Sequence, residues 1–172
     1  MIKIAITGGI GSGKSHIARQ MTQILSIPVY DTDSHAKRLN EESPQIRQGL
    51  IDLCGKDIYD PQGHLRKEQL SQYLFASEHN AKRVNAIIHP VVIDDFLRWA
   101  EQQTAPIIAI ETALLAESGL DHIVDKIIRV DAPLETRIQR AMQRDKLTRE
   151  QIEARIQRQQ EYPNPDIIIN NP

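Results

Sequence analysis

Five short apolar runs punctuate the chain, at residues 2–6, 27–30, 106–110, 126–130 and 167–169. They are rich in isoleucine and valine, have the length of strands, and are separated by stretches whose apolar residues recur at helical spacing. Runs that are apolar on both faces and alternate with helices indicate a buried parallel sheet, so the expected class is α/β. Ligands of such sheets sit at the carboxyl ends of the strands. Four runs lead into Asp31, Glu111, Asp131 and Asn170, and the first leads into a glycine-rich segment. The polar residues gather where a ligand is expected.

The stretch between the second and third runs, residues 33–103, reads as a helical insertion. Ser43-Pro44 starts a helix with proline at its first position, and Gly55 after Cys54 looks like its C-cap. Asp60-Pro61-Gln62-Gly63 is a turn. A short helix over 67–75 is followed by a long one capped by Ser77, with Val84, Ile87, Ile88, Val91, Val92, Phe96 and Trp99 on its apolar face. Pro90 predicts a kink near His89. After the fourth run, Pro133 is expected at the first position of a helix through Leu134, Ile138 and Met142. Thr148, with Gln151 as its capping-box partner, opens another. Residues 137–160 have few apolar anchors besides Ile138, Met142, Ile152 and Ile156, so a segment of low local stability is expected there.

The glycine-rich segment carries the sharpest chemistry. Gly8-Gly9-Ile10-Gly11-Ser12-Gly13-Lys14-Ser15 matches the phosphate-binding pattern G-x-x-x-x-G-K-[ST]. It follows a strand pattern and opens a helical one through Ile17, Met21, Ile24 and Leu25, which is the context the pattern requires. Glycines let successive backbone N–H groups point inward, and the helix N-terminus adds partial positive charge. Lys14 can then reach the outer phosphates of a bound ligand, and the Ser15 hydroxyl can ligate Mg²⁺.

Composition sets bounds without changing this picture. A chain of 172 residues, 40% hydrophobic and 26% charged, suits one soluble domain with small insertions. The net charge of -2 gives no electrostatic reason to expect nucleic acid or an anionic membrane as partner. One cysteine, Cys54, excludes an internal disulfide. No apolar stretch approaches the ~18 residues of a membrane span, and the amino terminus lacks a signal-peptide pattern, so a cytoplasmic enzyme is expected. His35, His64, His79 and His122 show no metal spacing and are expected at the surface. Asp60-x-x-Gly63 superficially matches a GTPase switch motif, but no Asn-Lys-x-Asp guanine reader is present.

Two further constellations bear on catalysis. In Tyr30-Asp31-Thr32-Asp33, Asp33 stands at a helix start, where a carboxylate can accept a hydroxyl proton beside a γ-phosphate. Aspartate also caps helices, and spacing alone leaves both readings open. Arg137, Arg140 and Arg144 fall at i, i+3 and i+7 on one helix face, suited to charge on a transferring phosphoryl group or to plain solvation.

Taken together, the chain resembles the dephospho-coenzyme A kinase family. The resemblance rests on Thr7 through Ser15, Asp31-x-Asp33, Asn85-Ala86-Ile87-Ile88-His89-Pro90, and Leu114-Leu115-Ala116-Glu117-Ser118-Gly119-Leu120. It continues in Arg137-x-x-Arg140-x-x-x-Arg144-Asp145 and Asp166-Ile167-Ile168-Ile169-Asn170-Asn171. It implies a three-layer phosphate-loop NTPase fold with a five-stranded parallel sheet, a helical acceptor-binding insertion at about 33–103 and a small lid at about 134–165. The implied reaction transfers the ATP γ-phosphoryl group to the ribose 3′-hydroxyl of dephospho-coenzyme A, with Mg²⁺. The implied catalytic residues are Asp33 as base, Lys14 and Arg140. Gly9, Gly11, Ser12, Gly13, Lys14, Ser15, His16 and Arg144 are implied to hold ATP, with Ser15 and Glu111 toward the metal. Thr7, Asp33, His89, Leu114 and Leu115 are implied to face the acceptor.

The chain departs from the family pattern in places. His16 replaces the usual Thr at a position that contributes mainly backbone N–H. Glu111-Thr112-Ala113 replaces the commoner Asp-x-Pro, and the family usually adds a helix after the last strand. The alternatives are another phosphate-loop kinase acting on a nucleotide or nucleoside, and a nucleotide-dependent switch module. A kinase consumes ATP only with its acceptor; a switch does not need one.

Overall fold

The five apolar runs become five parallel strands in a computed structural model that describes residues 1–159 and 161–172. They are β1 (Ile2–Thr7), β2 (Val29–Asp31), β3 (Ile107–Glu111), β4 (Lys126–Asp131) and β5 (Ile167–Asn170), in the sheet order β2-β3-β1-β4-β5. β1 lies at the centre, with Ile4 opposite Ala109 of β3 on one side and Lys126 of β4 on the other. The helices are α1 (Lys14–Leu25), α2 (Thr32–Glu42), α3 (Pro44–Cys54), α4 (Lys67–Ala76), α5 (Glu78–Glu101), α6 (Leu115–Ser118), α7 (Leu134–Asp145) and α8 (Arg149–Arg158).

The chain divides into two compact units, Met1–Asp31 with Gln102–Pro172, and Thr32–Glu101. The first contains the sheet. Its core under α1 consists of Ile6, Ala18, Ala109 and Val130, with Ile4, Ile17, Met21, Ile27 and Val29 packed against it. Burial is deepest along β1 and β3 and fails at the edge. In β5, Ile167 and Ile168 remain 50% and 48% exposed, so this strand does not share the two-sided burial expected from its sequence. It is held instead by its ladder to β4 and by Asp166. The Asp166 carboxylate accepts from Lys126 Nζ at 2.7 Å and from the Ile127 N–H at 2.9 Å.

The second unit is helical, with Ile46, Leu50, Ile58, Val84 and Phe96 fully buried. Ser43 caps α3, accepting from the Ile46 N–H with Pro44 at the first position. The Gly63 N–H closes the expected turn on the Asp60 carbonyl. Ser77 accepts from the Asn80 N–H before α5. Despite Pro90, α5 runs unbroken from Glu78 to Glu101. Proline removes one backbone hydrogen bond, but Val84, Val91, Val92, Phe96 and Ala100 anchor the helix on both sides of it. The Phe96 and Trp99 rings stack with centroids 6.1 Å apart.

The start of α7 differs from expectation, and that of α2 bears on Asp33. Pro133 is the N-cap of α7 rather than its first residue, because its ψ of 141° is extended while its carbonyl already accepts from Arg137 N–H. Asp33 lies inside the first turn of α2, which begins at Thr32, so it is not the N-cap. Among the described residues, no helix is long and apolar enough to cross a membrane.

Candidate active site

The end of β1 is fixed before the loop begins. Thr7 is buried, and the Thr112 N–H donates to the Ile6 carbonyl at 3.0 Å. The chain then turns through residues that must leave the right-handed region: Gly11 has φ of 75° and Gly13, the N-cap of α1, has φ of 92°. Both values favour glycine strongly. The Ser12 N–H donates to the Gly9 carbonyl, and Asn171 Nδ2 donates to the Ser12 carbonyl at 2.9 Å.

The start of α1 is a candidate anion site. No side chain caps the helix, and its first turn has no acidic residue, whereas α2, α7 and α8 carry Asp33, Glu135 and Glu150 there. The first N–H groups and the positive end of the helix dipole are therefore not neutralised by a carboxylate of the helix itself. Among the described residues, Ser12 Oγ in the same loop is buried without a hydrogen-bond partner. A buried hydroxyl of this kind is unfavourable until something accepts from it. A phosphate oxygen fits that need. Gly9, Gly11, Ser12, Gly13, Lys14, Ser15 and His16 thus lie together on one loop and helix start.

Beside it, Ser15 Oγ donates to Glu111 Oε1 at 2.5 Å, joining the first turn of α1 to the buried end of β3. Two hard oxygen donors in contact suit Mg²⁺, which takes one or two protein ligands and completes its shell with phosphates and water. Among the described residues, no group of three or more His, Cys, Asp or Glu is placed to hold a metal alone. The Glu111-Thr112-Ala113 departure is locally stabilised. Thr112 is buried, and its Oγ1 accepts from the Leu114 N–H at 3.1 Å.

The arginines of α7 have three different surroundings. Arg140 donates to the Asn171 and Pro172 carbonyls at 3.2 and 2.8 Å, and a Cβ placed on Gly13 would lie 3.7 Å from its Nη1. It therefore borders the start of α1. Arg144 pairs with the adjacent Asp145 at 2.7 Å in an exposed position. That hydrogen bond holds the Asp145 carboxyl below its ordinary range. Arg137 runs under the loop itself, donating Nε to the Ile10 carbonyl at 3.0 Å and Nη1 to Glu161 at 2.7 Å.

Of the acceptor-side candidates, Thr7, Leu114 and Leu115 line one small cleft with Glu117, Glu161, Tyr162 and Pro163. Leu115 is buried and Leu114 is 38% exposed, so Leu114 is the one that presents surface. Asp33 and His89 belong to the helical unit, Asp33 exposed on α2 and His89 half-buried on α5. In that unit His35, expected at the surface, is half-buried and hydrogen-bonded to Asp95 at 3.0 Å. Arg38 joins the same carboxylate at 2.9 Å, and its hydrogen bonds to Glu42 and then Asp95 hold its guanidinium still more firmly charged. Sequence reasoning had assigned no role to Asn171 or Gln159. Asn171 had the signal of its place in a motif at the end of β5; Gln159 had none.

The sequence profile of the dephospho-CoA kinase family matches residues 2–171. The chain is 49% identical over 145 residues to a dephospho-CoA kinase of Porphyromonas gingivalis, covering 84% of this chain and 71% of that protein. It is 45% identical over 159 residues to one from Bacteroides fragilis, covering 92% and 77%. A crystal structure of a Thermus thermophilus protein superposes with a TM-score of 0.84 at 30% identity, covering 99% of this chain and 88% of that one. Dephospho-CoA kinase from Campylobacter jejuni superposes at 0.66 with 23% identity, a likeness of fold, over 98% and 87%.

Proposed function

The chain belongs to the dephospho-CoA kinase family, and from this membership we infer that it catalyses the last step of coenzyme A biosynthesis, transfer of a phosphoryl group from ATP to the 3′-hydroxyl of dephospho-CoA. The observation that carries the nucleotide half is the acid-free, uncapped start of α1 with the orphaned Ser12 hydroxyl beside it. Lys14 and the loop N–H groups hold the outer phosphates. Ser15 and Glu111 are the residues that would hold Mg²⁺, which would supply neutralisation of charge on the phosphates.

The acceptor half rests on the helical unit, residues 32–101, with Asp33 as the group that orients the hydroxyl and takes its proton. Its exposure in the first turn of α2 supports this. His89 on α5, and Thr7, Leu114 and Leu115 at the cleft, contact the acceptor. Arg140, bordering the start of α1, stabilises charge on the transferring group, and Arg144, one turn further along α7, is the second arginine assigned to ATP.

The test is a comparison of acceptors. With ATP and Mg²⁺, kcat/KM for dephospho-CoA exceeds that for AMP or adenosine by at least about a hundredfold, because remote contacts orient the reacting hydroxyl. Equal values identify a nucleotide or nucleoside kinase instead. ATP hydrolysis that ignores every acceptor identifies a switch.

A further inference from the structure

The α7–α8 pair is more firmly anchored than its own apolar residues predicted. Ile138, Ala141 and Ile152 form a buried cluster, and the residues packed on it include Met142, Leu147 and Ile156. They also include Ile10, from the tip of the phosphate loop. The tip residue is thus part of the core of the helix pair.

The same residue is held through its backbone on both sides. Gln159, which caps the C-terminus of α8, turns its Oε1 to accept the Ile10 N–H at 2.7 Å. Arg137 Nε donates to the Ile10 carbonyl at 3.0 Å, and its side chain is only 11% exposed. Glu161 fixes the other end of that guanidinium. The α7 backbone passes so close that a Cβ on Gly11 would collide with the Arg137 carbonyl. Each polar group of the Ile10 peptide unit therefore has a partner on the helix pair, and its side chain has an apolar seat there.

A glycine-rich loop is costly to order, because glycine loses more backbone freedom than any other residue. Ordering it before the ligand arrives removes that cost from binding. We propose that Ile10, Arg137 and Gln159 form a clamp that preorganises the phosphate loop, making Arg137 and Gln159 positioning residues for nucleotide binding. The clamp also ties the loop to the helix that carries Arg140, so loop and helix pair move as one body at this point. The proposal rests on the nucleotide-site reading but not on the identity of the acceptor.

The experiment follows the Ile10 amide in the nucleotide-free protein. In the wild type this amide exchanges slowly. Gln159→Met, which keeps length but loses the acceptor, speeds its exchange about three- to tenfold, the loss of one hydrogen bond. The amides of Ile138 and Ile152 keep their wild-type rates, which separates loss of the clamp from loss of the helix pair. Gln159→Glu keeps an acceptor oxygen and restores slow exchange at Ile10. Affinity for a non-hydrolysable ATP analogue weakens by a similar factor in Gln159→Met, and KM for ATP rises while kcat at saturation stays within about twofold, the sign of lost uniform binding. Unchanged Ile10 exchange overturns the clamp. Faster exchange with unchanged analogue affinity overturns its positioning role, and so does a fall in kcat with KM unaltered. Both readouts remain measurable if dephospho-CoA proves not to be the acceptor, so the two failures are distinguishable.

Discussion

In the sheet-bearing unit the candidate site starts from backbone, a loop of glycines and the open start of α1, with Asn171 and Arg137 holding carbonyls in place and Lys14, Ser15, Glu111 and Arg140 adding side chains. In the helical unit, residues 32–101, the candidate chemistry is side chains, Asp33 and His89, set on helices whose shape comes from buried Ile46, Leu50, Val84 and Phe96. The first arrangement suits a ligand part common to many proteins, a polyphosphate, which needs N–H groups at fixed positions. The second suits a ligand particular to one enzyme, for which a protein must shape a surface and place one base. Recognition of phosphate is therefore written in a short motif, and recognition of the acceptor in how helices pack.

Lys14→Ala is the most severe way to strain this contrast. If the loop exists for phosphate and not for folding, turnover falls by about 10²–10³-fold, the range for losing a donor to a charged transition state. The melting temperature of the nucleotide-free protein stays where it was. A clear loss of thermal stability without ATP would make Lys14 a structural residue and blur the division.

A milder probe separates the units by pH. The Lys126 hydrogen bond holds the folded-state pKa of Asp166 below its ordinary value, with the Ile127 N–H adding to it. A depressed carboxylate contributes stability that is fully present above its unfolded-state pKa and is lost as pH falls through the folded value. Asp166→Asn should therefore lower the unfolding midpoint in urea at neutral pH, and the gap to wild type should close in acid. Hydrogen exchange should place the loss in β4 and β5, with the helical unit unaffected. A gap that widens in acid would contradict the sign.

Much of the sheet-bearing unit was legible in the sequence because its signals are local. Eight consecutive residues specify the loop, and the strand ends at Asp31, Glu111, Asp131 and Asn170 follow from where each apolar run stops. Caps read well for the same reason, as with Ser43 and the Thr148–Gln151 box. The contacts that hold the loop were not legible. Ile10 meets Gln159 across 149 residues and Arg137 across 127, and Ser12 meets Asn171 across 159. No spacing rule reaches that far; only the parallel sheet order brings β5 and α8 back to the loop. The expectation of low local stability counted apolar residues within 137–160 and so missed the seat that Ile10 supplies from outside. Pro90 does not end α5, since its local penalty is outweighed by buried residues on both sides of it.

The division between the units is tested most directly by Asp33→Asn. The amide keeps the shape and hydrogen-bonding reach of the side chain but cannot take a proton. Single-turnover transfer to dephospho-CoA should slow by about 10²–10⁴-fold, the usual contribution of a general base. Affinity for a non-hydrolysable ATP analogue should remain within about twofold of wild type, because the nucleotide is held by the other unit. Retention of more than about a tenth of the wild-type single-turnover rate would contradict the account and leave Asp33 a residue that merely favours the start of α2.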